Sequence, residues 1–434
     1  MALADNRWQR TTTLCAMYFA QGFPWGFMAT ALVAYLVGQG ISDAETANLT
    51  AIVLVPWTFK LVWAPLIDSM TYRAMGRRRV WIIGSELMMA VSLLGILWVG
   101  DLAENLQVLG WMFFVHNCFA SLQDVATDAL AVDILPPGEQ GRLAGLMWGV
   151  KLGGKGAGGL MAYVIRDWGL EAAVAIQMAV LLAIMVLPLY FVERRGEKRF
   201  PWSPGTAKGV AAESSLRSPV YVLVDLCRGF MLLPTFVHAV VGTCCVAGWG
   251  IVEVVSKLLY INQLGWDYVE VSGLQASAVS MEVLGALGGG IIADRFGRRK
   301  VMLLGFGVYG LMHVAFAVGN GYWGDRQFTT AYLFINPGLV AMGAVGFNAM
   351  AMKVSWTRAA ATMFTMYMTL TNVGHVIGNK AVAWLREGGR CTYEQIFWVA
   401  GILCLAPLML LPLVNPARVD AAEENERLAD SHRD

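Results

Sequence analysis

The sequence predicts an all-α membrane protein with twelve transmembrane helices in two six-helix bundles. Three observations lead there. Hydrophobic residues make up 57% of the chain and charged residues 15%, more apolar surface than a soluble core of this length buries. Twelve apolar runs are each long enough to cross a bilayer, which takes about 20 residues for roughly 30 Å of hydrocarbon. A short loop rich in glycine and arginine follows the second run and recurs after the eighth, about half of the 434-residue chain away, so the two halves read as parallel repeats.

The predicted spans are 11–37, 47–67, 80–99, 106–134, 142–165, 171–192, 232–261, 268–293, 300–318, 329–351, 358–378 and 394–414. The first run lacks a small-residue cleavage site and reads as an uncleaved span. Lys and Arg outside the spans set the orientation. One set of loops holds only Arg166, Arg326, Lys380, Arg386 and Arg390, while the alternating set holds the great majority, including Arg77–Arg79, Arg298–Lys300 and the basic residues of 193–217. Both termini and the central linker are therefore expected in the cytoplasm. The expected organisation is a bundle over 1–192, a linker over 193–218, a bundle over 219–420 and a tail over 421–434. The linker mixes Arg194, Arg195, Lys198, Arg199, Lys208 and Arg217 with Pro201, Pro204 and Gly205, a composition suited to a tether. Residues 219–230 are expected to lie flat at the membrane interface, and the charged tail to fray.

A net charge of +1 gives no concentrated basic face for nucleic acid. Cys15, Cys118, Cys227, Cys244, Cys245 and Cys404 fall in apolar runs and Cys391 in a loop, so neither a disulfide framework nor zinc spacing follows. No cofactor is expected. His116, His238, His313 and His375 sit on separate spans without ligand spacing, which argues against a membrane-embedded enzyme.

The repeated loop is the most specific signal. Gly288–Lys300 reads Gly-Gly-Gly-Ile-Ile-Ala-Asp-Arg-Phe-Gly-Arg-Arg-Lys, and a worn copy reads Ala64-Pro-Leu-Ile-Asp68 followed by Gly76-Arg-Arg-Arg79. Gly290, Asp294, Arg295, Gly297, Arg298 and Arg299, with Asp68, Arg77 and Arg78 in the first copy, resemble the loop signature of the major facilitator superfamily. Glycine near the helix end allows a neighbour to approach, and the aspartate can pair with arginine where the dielectric falls, so the loop reads as a gating latch. An ordinary basic loop is the other reading of the first copy.

Charges inside the spans are informative because each costs roughly 2.5–3.5 kcal/mol at the bilayer centre unless it faces a cavity or a partner. Asp124 and Asp128 share one face of the fourth span, and Asp133 points away from it. Lys151 and Lys155 share a face of the fifth. From rise per residue, Asp128 and Lys151 lie at about 10 and 13 Å depth and Asp124 and Lys155 at about 16 and 19 Å, which predicts two matched pairs. Lys60, about 12 Å from Asp68 along the second span, competes for the same carboxylates. The set reads either as structural ion pairs fixing helix order or as proton-coupling carboxylates whose cationic partners move.

In the second half, Glu253 and Lys257 form an i,i+4 pair, and Glu282 falls near mid-membrane within reach of that lysine. Thr362, Thr365, Thr369, Asn372, His375 and Asn379 make a polar stripe on the eleventh span, suited to a substrate cavity or to helix packing. Gln21-Gly22-Phe23-Pro24-Trp25-Gly26 breaks the first span, and broken helices line substrate sites. Gln21, Trp25 and Gln123 join Thr365, Thr369, Asn372 and His375 as cavity candidates. Gly149, Gly153, Gly154, Gly156, Gly158 and Gly159 allow close contact of the fifth span.

Lys60-Leu-Val-Trp63-Ala64-Pro65-Leu66-Ile67-Asp68 together with Gln123-Asp124-Val-Ala-Thr-Asp128 resembles the peptide and acetyl-coenzyme A transporter family, in particular its AmpG-like muropeptide permeases. The resemblance implies a monomeric symporter that imports a bulky peptide–sugar conjugate with protons across a bacterial inner membrane. Some muropeptide permeases carry two further spans, whereas this chain has room for twelve, so siderophore-like or other amphipathic conjugates remain open as cargo. A receptor that binds without transporting is the reading from another class.

Overall fold

The computed structural model describes residues 2–69, 73–204, 227–355 and 360–431, which are almost wholly helical. Twelve long rods follow one another among the described residues: α1 (Arg7–Gly38), α2 (43–69), α3 (Arg79–Leu97), α4 (Leu106–Ile134), α5 (137–168), α6 (Leu170–Tyr190), α7 (Leu233–Gln263), α8 (Tyr268–Phe296), α9 (Arg298–Val318), α10 (Arg326–Val354), α11 (Ala360–Arg386) and α12 (Tyr393–Leu413). Each expected span falls on one rod, with ends displaced by up to eight residues; positions 358–359 of the eleventh lie outside the described residues. Eight rods are long and apolar enough to cross a membrane; α2, α4, α5 and α11 fall outside that set. These four carry Lys60, the Asp124–Asp128 pair, the two lysines of α5 and the Thr/Asn stripe. Such faces must look onto protein or water rather than lipid.

Breaks in the rods follow local chemistry. Pro24 removes a backbone donor in α1, which continues as a π-helical segment over Phe27–Leu32. In α2, Pro56 opens a 3-10 turn at Val55–Phe59 between Asp43–Leu54 and Lys60–Ser69. Capping boxes at Ser42/Glu45 and Thr392/Gln395 start α2 and α12. The tail differs from expectation. Pro416–Ser431 forms a helix, α13, because Pro416 suits a first helical position and the Asn415 side chain accepts the Ala417 N–H at 3.1 Å. Of the segment expected at the membrane interface, residues 219–226 lie outside the described residues and 227–230 are helical.

By packing, the chain forms two units, one of Met1–Ala212 with Lys257–Val279 and one of Glu213–Ser256 with Ser280–Asp434. In the first, α1 and α5 touch backbone to backbone. A Cβ on Gly22 would stand 2.0 Å from the Lys151 carbonyl oxygen, one on Gly26 1.9 Å from that of Lys155, and one on Gly158 2.1 Å from that of Phe23. Of the glycine run in α5, Gly154 and Gly158 meet α1, Gly156 and Gly159 meet Ala276 of α8, and Gly149 and Gly153 face open space. Close contact therefore explains four of the six. The second unit repeats the device between α7 and α11, where a Cβ on Gly378 would lie 2.0 Å from the Ala247 carbonyl oxygen and one on Gly374 2.4 Å from that of Thr243. Each unit has its own apolar core, around Leu14, Met17, Ile82 and Leu130 in the first and around Phe306, Tyr309, Phe347 and Tyr367 in the second.

The start of the linker is docked rather than a loose tether. The Glu193 carboxylate accepts the backbone N–H groups of Arg77, Arg78 and Arg79 at 3.0, 2.7 and 2.5 Å, filling the amide-rich start of α3. Buried Arg79 donates to the carbonyls of Met75, Pro188, Leu189, Lys198 and Arg199. Leu3 N–H binds the Val192 carbonyl at 2.8 Å, so the N-terminal residues pair with the same segment. Only residues 200–204 of the Pro- and Gly-bearing part are described; 205–226 lie outside the described residues.

Glu197 accepts the N–H groups of Glu193 and Arg194 at 2.9 and 3.1 Å. Burial, reinforced by neighbouring Glu193, pushes its carboxyl up from 4.5 to about 7. A raised folded value means that the stabilising contribution is complete below about 4.5, falls as pH rises and is gone above about 7. Hydrogen-exchange protection of the Glu193 and Arg194 amides is expected to fall across that window, by at most about tenfold per pH unit. In Glu197→Gln the fall is expected to disappear; a slope unchanged from wild type would refute the assignment.

Candidate functional site

The polar centre of the first unit is assembled by α1, α2, α4 and α5. Two tryptophans of α2 fix it on α4: Trp57 Nε1 donates to Asn117 Oδ1 at 3.2 Å and Trp63 Nε1 to Ser121 Oγ at 2.8 Å. Trp63 belongs to the Lys60-x-x-Trp63-Ala-Pro stretch, so its bond to Ser121 brings Lys60, one turn earlier, over Asp124, one turn later. Lys60 Nζ lies 2.5 Å from Asp124 Oδ2, and Lys151 Nζ from α5 lies 3.1 Å from Asp124 Oδ1. One carboxylate thus bridges two lysines. Its side chain is 3% exposed and that of Lys151 6%, whereas Lys60 is 21% exposed.

This arrangement corrects the expected two-pair ladder. Asp128 binds the Tyr18 hydroxyl of α1 and is exposed, while Lys155 sits over the Trp25 ring with Nζ 4.7 Å from its centroid. The helix crossing explains the difference. Gly22 and Gly26 draw α1 onto α5, which inserts Tyr18 and Trp25 where depth alone would match lysine with aspartate. Lys60, Lys151, Asp124 and Asp128 are formally balanced, two of each sign. Around them, Lys151 Nζ lies 4.5 Å from the centroid of Trp57 and 5.5 Å from that of Trp148, so cations and aromatic faces alternate on one wall.

Behind Asp124 is a second buried network. Gln21 Nε2 donates to Gln123 Oε1 at 2.6 Å, and Gln123 Nε2 donates to Glu86 Oε2 at 3.0 Å and to the Met17 carbonyl at 3.3 Å. Glu86 on α3 is not among the residues expected from the sequence, nor are Tyr18, Trp57 and Trp148. A signal for Glu86 existed, since it is an acid within an otherwise apolar run and the rule applied to Asp124 covers it. Tyr18 carried no such mark.

In the second unit, His375 Nε2 lies 2.7 Å from Glu253 Oε2 and its ring stacks on Trp249 at 4.3 Å. Histidine thus reaches Glu253, a contact beyond the i,i+4 pair expected with Lys257. Lys257 is buried and belongs to the first unit. Glu282 is buried on α8, in the second. Thr369 and Asn379 are buried, Thr365 and Asn372 half-buried, all on α11; the Thr362 side chain lies outside the described residues.

In the loop signature, Arg78 Nε binds Asp133 Oδ2 at 3.0 Å, and Arg77 gives its backbone N–H to Glu193. Arg299 donates to the Val414 carbonyl, Arg295 lies over the Phe296 ring, and Arg298 opens α9. Gly297 has φ +94°, the conformation that requires glycine at this tight turn. Gly290 does not serve close approach, since a Cβ there meets nothing within 4 Å; Gly285, one turn and a residue earlier, lies against Gly338. The side chains of Asp68 and Asp294 lie outside the described residues.

The sequence profile of the Major Facilitator Superfamily matches residues 14–379 and 239–431. The chain belongs to the major facilitator superfamily. This facilitator is therefore a multi-pass membrane transporter rather than an enzyme. It is 26% identical over 422 residues to the anhydromuropeptide permease of Escherichia coli (strain K12), covering 93% of this chain and 79% of that one. The fold is that of the nucleoside transporter NupG, with a TM-score of 0.68 at 13% identity, covering 93% of this facilitator and 98% of NupG. A D-xylose-proton symporter matches with a TM-score of 0.69 at 10% identity, over 93% and 97% of the respective chains.

Proposed function

We propose that this facilitator imports a bulky peptide–sugar conjugate of the muropeptide kind together with protons, by alternating access across a bacterial inner membrane. The observation that carries the reading is Asp124 held between Lys60 and Lys151, with Asp128 on Tyr18 beside it and Trp25, Trp57 and Trp148 next to the lysines. Aromatic faces suit sugar rings and lysines suit the carboxylates of a peptide stem. A carboxylate with two cationic partners on different rods changes its proton affinity when either rod moves, which is what coupling requires. The permease named above supports the cargo class by its similarity. In this reading Asp124, Asp128 and Glu282 are coupling groups, and Lys60, Lys151, Lys155, Glu253 and Lys257 are their charge partners. Gln21, Trp25, Gln123, Thr365, Thr369, Asn372 and His375 face the substrate. The protein works as a monomer whose six-helix halves, 1–192 and 219–420, rock about the linker, with termini and linker in the cytoplasm.

Uptake into proteoliposomes tests this. Labelled anhydromuropeptide is expected to accumulate under a proton gradient that is acidic outside and to exchange in counterflow. Competition by siderophores but not muropeptides would replace the cargo class, and tight binding without exchange would make the protein a receptor. For the latch, Asp294→Asn removes a partner for the loop arginines at constant size. Turnover is expected to fall about tenfold while substrate binding persists; normal turnover in the folded variant would remove the latch role.

A further inference from the structure

Glu86 lies on α3, fully buried, and takes no part in the lysine–aspartate cluster. Its Oε2 accepts one hydrogen bond, from Gln123 Nε2 at 3.0 Å, and its Oε1 is buried with no partner among the described residues. Among the described residues, the helices packed most closely on α3 are α4 and α6, with Leu14 and Met17 of α1 in the same core. Between Leu170 and Tyr190, α6 carries Glu171 and Tyr190 as its titratable residues and no cation. On α4 the titratable groups are His116, Cys118, Asp124, Asp128 and Asp133, none a lysine or arginine. His116 Nδ1 is engaged by the Met89 carbonyl at 3.1 Å and Ser92 Oγ at 3.0 Å, Asp124 by the two lysines, Asp128 by Tyr18 and Asp133 by Arg78. On α3 itself the cation is Arg79, two turns before Glu86 at the start of the helix and tied there to backbone carbonyls. From α1, Gln21 and the Met17 carbonyl meet Gln123, Tyr18 is on Asp128, Cys15 is neutral as a thiol, and the cations Arg7 and Arg10 lie in the first turn, with Arg10 donating to the Ala4 carbonyl.

An ionised carboxylate in such a place would be unsolvated and without a counter-charge, and a buried group so placed takes up a proton instead. Gln123 offers Glu86 a donor at Oε2, which leaves Oε1 for the proton. We propose that Glu86 is a proton-holding site of this transporter, neutral in the present state and discharged during the cycle when water reaches its contact with Gln123. Discharge breaks the Oε1–H bond, passes the proton to water and leaves a hydrated carboxylate; recharging takes a proton from water on the other side of the membrane. Gln123, whose sequence neighbour is the lysine-bound Asp124, links this site to the ion-pair centre through α4. The discharge step rests on the proton-coupled reading above, whereas the protonation of Glu86 stands on its surroundings alone.

Infrared difference spectra of the full-length protein in liposomes, taken while the pH is raised, test the first part. A carbonyl band from a protonated carboxyl is expected in wild type, absent in Glu86→Gln and retained in Asp124→Asn. Persistence of that band in Glu86→Gln, or its lack in wild type, would overturn the assignment. For the second part, Glu86→Gln is expected to lose pH-gradient-driven accumulation of labelled anhydromuropeptide about tenfold or more while counterflow continues, and Glu86→Asp, which keeps the acid, to retain it. Wild-type accumulation in Glu86→Gln overturns the discharge step. If wild type itself shows counterflow but no gradient-driven accumulation, the coupled reading and the discharge step fail together, and the band still decides whether Glu86 holds a proton. Should Glu86→Gln not fold, Glu86→Asp decides, through a displaced carboxyl band in the same spectra.

Discussion

Asp124→Asn is expected to abolish pH-gradient-driven accumulation while leaving counterflow measurable. The variant keeps the shape of the side chain but removes the charge that holds Lys60 at 2.5 Å and Lys151 at 3.1 Å. Two cations then share Asp128, which lies on Tyr18, as the nearest remaining carboxylate of the cluster. Removing one partner of a buried ion pair costs about 3–5 kcal/mol, so some loss of thermal stability accompanies the loss of coupling. The double variant Asp124→Asn/Lys151→Gln separates the two effects, because it restores charge balance. It is expected to regain most of the stability and none of the accumulation. Accumulation surviving in Asp124→Asn, or returning in the double variant, would leave the triad a structural lock. Asp128→Asn is expected to lose accumulation with less effect on stability, since its carboxylate is exposed.

Gly26→Val is expected to prevent the first unit from forming. A Cβ at this position would stand 1.9 Å from the Lys155 carbonyl oxygen and 2.9 Å from its Cα, and backbone cannot swing aside as a side chain can. Overpacking within a core costs about 1–3 kcal/mol where side chains can yield, and a backbone clash on the α1–α5 seam exceeds that range. Yield of monodisperse protein after extraction, and its Tm, are the measurements. Gly149→Ala on the same α5 run is the control, because nothing lies within 4 Å of a Cβ there. Equal yield and Tm for the two variants would show that α1 and α5 are not held in backbone contact.

The order of apolar runs and the repeated basic loop made the helices, their approximate limits and the two-fold repeat legible in the sequence, although by hydropathy and length eight of the twelve rods qualify as spans. Helix limits follow from local rules: a run of about twenty apolar residues suits the bilayer, and Gly297 suits a turn whose φ is +94°. Sequence also marked Asp124, Asp128, Lys60, Lys151 and Lys155 as residues that need partners, because the cost of a charge in hydrocarbon depends on depth and not on fold. Which partner each finds is a matter of helix crossing. Depth along isolated helices ranks Lys151 with Asp128 and Lys155 with Asp124. The seam at Gly22, Gly26, Gly154 and Gly158 brings Tyr18 to Asp128 and Trp25 to Lys155, and the bond from Trp63 to Ser121 swings Lys60 over Asp124. Likewise Glu253 meets His375, more than a hundred residues away, a contact that no local spacing announces. Local rules decide which groups must be satisfied; only the packing of one helix on another decides by whom.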